Sequence, residues 1–318
     1  MTPNAHSLLI SANHRAESGL ALILVLWILS LMSVIATSFV LSTRTDTILA
    51  GNTLSMATAE ALADAGIHRA IYALATPSSN PLRWKGDGRA HVWTYQNKSI
   101  VITIRDEAAK IDINSASDAL LRGLFRSAGL DEDSASRMLD RVLDWRDEDS
   151  LRRLNGAEAD DYAAAGLAYR PSNARFRTVG ELRQVLGMTE DVYRRLADAI
   201  TVYSGLSGIN SLIAPKAVLL ALPGVDPVQV DAYIASRDVP EGIQVPVFAP
   251  AMAFQAGDSK VFSIRAEVKL EDGALFLREA IVRLGQGPGQ AVSFLAWRAP
   301  DATGPAFGIE AHEGKDAP

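Results

Sequence analysis

The sequence predicts an α+β protein: a long amino-terminal helix, half of it in a membrane, continues into a small antiparallel sheet, and a large helical domain is inserted between the sheet strands. Three observations predict this architecture. An apolar run of 22 residues begins at Leu20, a block with helical pattern extends from Asp106 to about Arg237, and strand-like segments stand on both sides of that block. Strands separated by a helical block can belong to one sheet only if the block is an insertion.

The apolar run at residues 20–41 follows a polar leader, residues 1–19, which ends at Gly19. No charged residue lies between Glu17 and Arg44. A helix of this length rises about 1.5 Å per residue and spans the roughly 30 Å hydrocarbon core of a bilayer. A cleaved secretory signal is the alternative, but its apolar region is usually about 7–15 residues and its small-residue cleavage site comes after that region. The run therefore predicts a transmembrane helix.

The helical pattern continues beyond the membrane segment, through residues 42–76. No proline occurs between Arg44 and Ala75, apolar residues recur at helical spacing, and alanine is abundant. Pro77 marks the end. We predict one helix of roughly 55 residues whose second half packs on a soluble domain. A plain anchor followed by an unrelated amphipathic helix is the alternative.

Residues 77–105 predict the first part of the sheet. Runs of β-branched and aromatic residues at 91–95 and 99–104 flank a short polar turn, which is the pattern of a hairpin. Residues 241–298 predict the second part. There, alternating runs at 261–270 and 274–283 flank Asp272-Gly273, and residues 292–297 form an edge strand. Residues 299–318 are rich in Gly, Pro, Ala and acidic residues and predict a disordered tail.

The intervening helical domain, residues 106–240, contains a weak internal repeat of two helix–hairpin–helix-like units. Their hairpins lie at 128–131 and 222–225, and Asn114 is placed to accept a backbone N–H at a helix start. Such units often bind DNA phosphates. Here carboxylates follow both hairpins, and the net charge of −6 opposes nonspecific nucleic-acid binding. A packing role is favoured, and a membrane-anchored DNA-uptake or DNA-binding protein is the alternative function.

An acidic cluster lies between the two units. Hard cations such as calcium take six to eight oxygen ligands, but the spacing is not that of an EF-hand loop. A solvated loop neutralised by Arg146, Arg152 and Arg153 is the alternative, and paired carboxylates of a hydrolase are a third possibility that no pattern selects. Trp145 is expected in the core beneath this loop. The cluster comprises Asp144, Asp147, Asp149, Glu158, Asp160 and Asp161.

Composition argues against several kinds of enzyme. The chain has no cysteine, which excludes disulfides, thiolate catalysis and zinc–thiolate sites. None of its five histidines stands at a recognisable catalytic spacing from a carboxylate or serine. We therefore expect a protein that is not an enzyme.

Several motifs together resemble a known family. The Gly19–Leu20 junction looks like a type IV prepilin cleavage site. The segments 106–114 (DEAAKIDIN), 144–147 (DWRD), 156–158 (GAE) and 178–188 (TVGELRQVLGM) follow in order. This combination resembles protein K of the type II secretion system, a minor pseudopilin, over roughly residues 15–285.

The resemblance implies a set of properties. A prepilin peptidase would cut after Gly19, and Leu20 would become the N-methylated first residue of a single-pass protein of the inner membrane. The bulk of the chain would lie in the periplasm, at the tip of a short pseudopilus that supports export of folded proteins across the outer membrane. Its partners would be the minor pseudopilins I and J. The resemblance also implies calcium in the helical domain, with the six acidic residues above as candidate ligands.

Leu24 occupies the position at which most pilins carry a glutamate, the fifth residue of the mature chain. That glutamate pairs with the terminal amine of a neighbouring subunit. A carboxylate in hydrocarbon is costly without its partner, so a subunit with no neighbour above it gains nothing from one. We hypothesise that Leu24 marks a subunit that caps the filament.

Overall fold

The structure is a computed structural model and describes residues 17–237 and 257–299, apart from short gaps at 78–79, 81–82, 258, 271–272, 274 and 286–291. Most of the predicted leader, the segment 238–256 and the tail from residue 300 lie outside the described residues. The chain divides into two compact units, at residues 1–58 and 59–318. The described part has an α+β fold, as predicted.

Helix α1 extends over Glu17–Ala75 and belongs to both units. In the first unit every side chain from Leu20 to Leu54 is exposed. By length and composition the part from Leu20 onward can cross a membrane. Thr37 donates its hydroxyl hydrogen bond to the carbonyl of Ser33 at 2.8 Å, so this polar side chain is satisfied within its own helix.

In the second unit, the last turns of α1 pack on one face of an antiparallel sheet. The strands are β1 (Asp87–Tyr95), β2 (Lys98–Asp106), β5 (Val261–Lys269), β6 (Leu275–Arg283) and β7 (Ser293–Arg298), in the order β1-β2-β5-β6-β7. Alternate residues of the strands face α1 because the side-chain period of a strand is two. The shared core contains Ala59, Leu62, Ala63, Ile67, Ala70 and Leu74 of α1 with Ile100, Ile102, Ile104, Ile264, Ala266 and Val282 of the sheet.

The neighbouring strands β2 and β5 pair from Ile100↔Val268 to Asp106↔Phe262. The chain between them forms the helical domain, so the predicted insertion is confirmed. Two details of the hairpins also agree with the sequence. Gln96 and Asn97 take positive φ angles of 46° and 62° in the two-residue turn from β1 to β2, and β7 lies where an edge strand was predicted.

The helical domain has its own core. Its elements are β3 (Ile111–Asp112), α2 (Asp118–Ser127), α3 (Glu132–Arg146), α4 (Ala159–Ala164), α5 (Glu190–Leu196), β4 (Ile200–Thr201), α6 (Lys216–Leu219) and α7 (Pro227–Ser236), with short 3-10 helices at Glu107–Ala109 and Val179–Gln184. The pairs α2–α3 and α6–α7 are the two predicted helical hairpins. Their turns contain Gly129 and Gly224, with φ angles of 95° and 74° that favour glycine. The strands β3 and β4 pair in parallel. This pairing joins the segment that precedes the first helical hairpin to the segment that precedes the second.

The motif at residues 106–114 fastens the start of this domain to its end. Glu107 is 1% exposed, forms an ion pair with Lys110 at 2.8 Å and accepts a hydrogen bond from the Thr201 hydroxyl. Asp112 is fully buried and accepts hydrogen bonds from the backbone amides of Asn114 and Gly205. Because a buried carboxylate is stable only when it is paired or hydrogen-bonded, these contacts specify how the ends of the domain meet.

Candidate functional site

Residues of the predicted processing junction lie in a helical stretch. Helix α1 already begins at Glu17, three residues before Leu20. Leu20 and Leu24 are both exposed, at 74% and 61% of their surface. Such exposure of consecutive apolar side chains is costly in water and favourable in lipid or against other helices. The segment therefore has the surface that a membrane anchor requires.

The acidic cluster lies on the end of α3, the loop after it and the start of α4. Asp144 is fully buried, with its carboxylate against the backbone of the loop: the Arg153 amide donates to Asp144 Oδ2 at 3.2 Å. Gly156 makes this possible, since a Cβ on residue 156 would lie 1.8 Å from Asp144 Oδ2. The sequence motifs at 144–147 and 156–158 thus meet in space. Glycine at position 156 leaves room for a buried carboxylate.

Two further carboxylates have oxygen atoms without a partner. Glu158 is 9% exposed, and its Oε1 atom is buried with no hydrogen-bond donor in contact. Asp147 Oδ1 is likewise buried and unsatisfied. A buried oxygen with formal negative charge normally has a donor or a cation beside it. A cation beside Glu158 Oε1 or Asp147 Oδ1 would satisfy the buried negative charge.

The pKa values of these carboxyls show that the groups repel one another. Burial raises the pKa of Glu158, and the charges of Asp144 and Asp147 raise it further. The pKa of Asp147 is raised by burial and then by Asp149. Burial also raises the pKa of Asp144, against hydrogen bonds from the loop backbone that lower it. Asp144, Asp147, Asp149 and Glu158 therefore lie within electrostatic reach of one another, and the charge of Asp161 also raises the pKa of Glu158.

The other two candidates are arranged differently. Asp161 accepts a hydrogen bond from the Glu158 amide at 2.9 Å and pairs with Arg152 at 2.9 Å, so it caps α4. Asp160 lies exposed in the first turn of the same helix. The structure gives both residues a place at a helix start, where negative charge is favourable without any ion.

The cations near the cluster are partly those that were predicted. Arg152 pairs with Asp161, and Arg153 lies 3.4 Å from Asp144 and 3.7 Å from Asp147. Arg146 instead donates to the carbonyl oxygen of Ile113, and its charge acts on the loop by lowering the pKa of Asp147. Within the part of the chain that the structure describes, no three His, Cys, Asp or Glu side chains already stand in metal-ligand geometry. An ion would require side chains to move towards it.

Sequence reasoning missed Asp140. Its Oδ2 atom accepts hydrogen bonds from both the amide and the side-chain nitrogen of Asn155, each at 3.1 Å, which holds the far side of the loop. The signal was present, because Asp140 precedes Asp144 by four residues and lies on the same face of α3. Trp145 is 2% exposed and packs against Tyr162 and Phe176, as expected for a residue beneath the loop.

The hairpins that suggested nucleic-acid binding carry their own anionic caps. Asp131 accepts from the Ser134 amide at 2.7 Å, and Asp226 accepts from the Val228 amide at 3.0 Å. A phosphate would need these same amides at the helix starts, and it would meet a carboxylate there. The DNA-binding alternative is therefore not favoured.

The fold defines a class first: proteins in which one apolar amino-terminal helix continues onto an antiparallel sheet that carries an inserted helical domain. Comparison with known proteins then narrows the class. Residues 99–205 match the family model described as type II secretion system (T2SS), protein K. Together with the relatives below, this match shows that the chain is similar to the type II secretion system protein K family, most clearly over the inserted helical domain.

Relatives of this chain carry the same description. Type II secretion system protein K of Pectobacterium carotovorum subsp. carotovorum is 38% identical over 105 residues, which is 32% of each chain. Its counterpart in Pseudomonas aeruginosa is 26% identical over 70% of this chain and 73% of that relative. Klebsiella pneumoniae type II secretion system protein K is 29% identical over 66% of this chain and 70% of the relative.

A solved structure has the same fold. A chain of the GspK–GspI–GspJ complex from the type 2 secretion system of enterotoxigenic Escherichia coli superposes with a TM-score of 0.56, at 17% identity. The superposition covers 82% of this chain and 99% of that one. The arrangement of helix, sheet and inserted domain is therefore shared.

Proposed function

We propose that this protein is a minor pseudopilin that is anchored in the inner membrane and caps the tip of a periplasmic pseudopilus, and that in this position it supports export of folded proteins across the outer membrane. The helical domain inserted between β2 and β5 is the observation that carries the proposal, since it is shared with the solved GspK chain. Its role in this proposal is structural and not catalytic.

The apolar helix supports the proposed anchorage. Its exposed side chains from Leu20 onward match the interior of a bilayer, and the charged residues resume at Arg44. We propose that the leader is removed between Gly19 and Leu20 by prepilin peptidase and that Leu20 becomes N-methylated. Leu24 would then be the fifth residue of the mature chain, without the carboxylate that would pair with a subunit above it.

The partners that we propose are the minor pseudopilins I and J of the same secretion system. The support is the solved complex, in which the neighbour with this fold is assembled with GspI and GspJ. Charge repulsion at the hairpins makes nucleic acid an unfavourable partner.

The test is co-purification of the full-length chain with I and J from detergent-solubilised membranes, combined with immunogold labelling of pseudopili. We expect a stable complex of the three proteins and label at one end of each filament. Label along the whole filament, or a chain that purifies without I and J, would contradict the proposal.

We also propose that the acidic cluster binds calcium. The oxygen chemistry fits a hard cation: Asp144 and Asp147 both raise the pKa of Glu158, Asp147 also raises that of Asp144, and two oxygens of these carboxylates lack a donor. When bound, the ion would neutralise these carboxylates, and it would stabilise the loop structurally.

The calcium proposal is tested by thermal unfolding of the full chain in calcium and in chelator. Binding to the folded state alone should raise the melting temperature, as mass action requires. The variant Glu158→Gln should lose most of that increase, whereas Asp160→Asn should keep it. An equal melting temperature with and without calcium would refute the site.

A further inference from the structure

Arg153 lies among the carboxylates of the acidic cluster. Its Nε atom is 3.4 Å from Asp144 Oδ1, and its guanidinium is 3.7 Å from Asp147 Oδ2. Charge-assisted hydrogen bonds between arginine and carboxylate are usually about 2.7–2.9 Å long. The guanidinium therefore compensates the negative charge from a distance and does not form a close, bidentate pair.

Arg153 does not supply a hydrogen-bond donor to every buried carboxylate oxygen of the cluster. Glu158 Oε1 and Asp147 Oδ1 remain buried without a donor. Glu158 is more than nine-tenths buried, and the charges of the other carboxylates of the cluster raise its pKa. One planar cation at the edge of the cluster cannot contact all of these oxygens, whereas a small divalent ion could be surrounded by them at about 2.3–2.6 Å once the side chains move towards it.

We propose that Arg153 is an internal counter-cation that occupies the acidic cluster when no divalent ion is bound, and that a divalent cation binds only by displacing its side chain. The inference rests on the cation site proposed above. It assigns to Arg153 a competing role that lowers the affinity of the cluster for calcium.

The local structure allows such an exchange. The side chain of Arg153 is 45% exposed, so it can swing into solvent. Its backbone amide would still donate to Asp144, and Asn155 would still be held by Asp140, so the loop itself keeps its anchors. The same loop is therefore held with or without the ion, by an arginine in one state and by a cation in the other.

The test measures calcium binding to the full-length chain in detergent by isothermal titration calorimetry, comparing wild type with Arg153→Gln. Removing a positive charge a few ångströms from the bound ion should tighten calcium binding about tenfold, a modest value because the arginine is partly solvated. Arg153→Lys retains the charge and should bind calcium within about threefold of wild type, since charge is the competing property.

Arg152→Gln is the matched control. Arg152 is adjacent in sequence and similarly exposed, but it pairs with Asp161 at the start of α4. Its removal should change calcium affinity far less than removal of Arg153. Thermal unfolding in chelator supplies a second measurement: Arg153→Gln should lower the melting temperature without calcium and recover it when calcium is added.

The outcomes separate the two proposals. Calcium binding by wild type and Arg153→Gln with equal affinity would overturn the competition and leave the cation site intact. No calcium binding by either protein would overturn both. If Arg153→Gln folds poorly, wild-type affinity in Arg153→Lys together with tenfold tighter binding in Arg153→Met supports the competition, and equal affinity in these two variants overturns it.

Discussion

Asn114 shows how one side chain can hold together distant parts of the helical domain. Its amide accepts from the Phe176 backbone N–H at 2.8 Å and donates to the Phe176 carbonyl at 2.9 Å, across 62 residues of sequence. The sequence predicted a cap at a helix start, but that position belongs to Ser117, which accepts from the Leu120 amide. Local pattern identified the type of side chain and not its partner, because the partner arrives only when the chain folds back.

Tyr162 gives a prediction at the residue scale. It is fully buried, and its hydroxyl oxygen accepts from the Leu186 amide at 3.0 Å. The substitution Tyr162→Phe leaves that amide without an acceptor and should lower the free energy of unfolding by about 1–2 kcal/mol. Denaturant unfolding at neutral pH checks this value. Tyr169→Phe, at a half-exposed neighbouring ring, is the control and should be nearly neutral.

The same tyrosine gives a prediction about alkaline pH. Burial raises the pKa of Tyr162 from 10.0 to about 12. Between these two values the unfolded chain releases the tyrosine proton and the folded chain keeps it. The contribution of Tyr162 to the free energy of unfolding is therefore fully present below pH 10 and is lost as the pH rises towards 12. We expect a smaller loss over this range in Tyr162→Phe than in wild type. Identical pH profiles for the two proteins would contradict this assignment.

At the scale of elements, the two helical hairpins are fitted together at Gly123 of α2. A Cβ at this position would lie 2.0 Å from the carbonyl oxygen of Ala221, which follows α6. The two units of the repeat therefore touch backbone to backbone. Periodicity predicted that these helices exist, but only packing decided that α2 must carry a glycine in its middle.

Gly123→Ala should separate α2 from the second hairpin. The atom that would be struck is backbone and cannot rotate away, so we expect a loss of about 3 kcal/mol in the free energy of unfolding. Gly180→Ala is the matched control, because the nearest atom to its new methyl group would be the Thr178 hydroxyl at 3.7 Å. Equal stability of the two variants would show that α2 can shift at little cost.

Arg278 of β6 fastens the sheet to the end of α1. Its side chain is 8% exposed and pairs with Glu60 and Asp64 at 2.5 and 2.7 Å. Arg278→Met should cost about 1–2 kcal/mol, a limited value because both carboxylates remain partly solvated. Arg283→Met, at the exposed end of the same strand, should change stability by less than about 0.5 kcal/mol in the same denaturant titration.

At the scale of the whole molecule, the decisive property is that one chain contains both an apolar helix and a folded domain. The prediction concerns Leu24→Glu, which in the proposed tip position would place a carboxylate in hydrocarbon with no partner above it. Secretion and placement at the filament tip should decline, as measured by export assays and immunogold labelling. Unchanged or improved function would contradict the hypothesis that Leu24 marks a subunit that caps the filament. Leu24→Gln serves as an uncharged polar control.

Processing is the second prediction at this scale. Mass spectrometry of the mature amino terminus should find N-methylated Leu20 in cells with prepilin peptidase and the uncut chain in cells without it. Gly19→Ala is a conservative control of the junction, and Gly19→Val should block cleavage because a branched side chain hinders approach to the backbone. An intact leader in peptidase-containing cells would contradict the prediction.

Local patterns in the sequence were enough to predict the long apolar helix, the sheet strands and the insertion between them. Each of these depends on local patterns: an uncharged apolar run, alternation with turn residues between strands, and the return of strand residues after a helical block. The acidic candidates were also evident from spacing. Three contacts could be found only in the folded chain: Asp161 caps a helix, Asp140 holds the loop, and Arg153 lies among the carboxylates. Those roles depend on which side chains come into contact when the loop folds. A pattern along the sequence does not specify the distances between side chains in the folded loop.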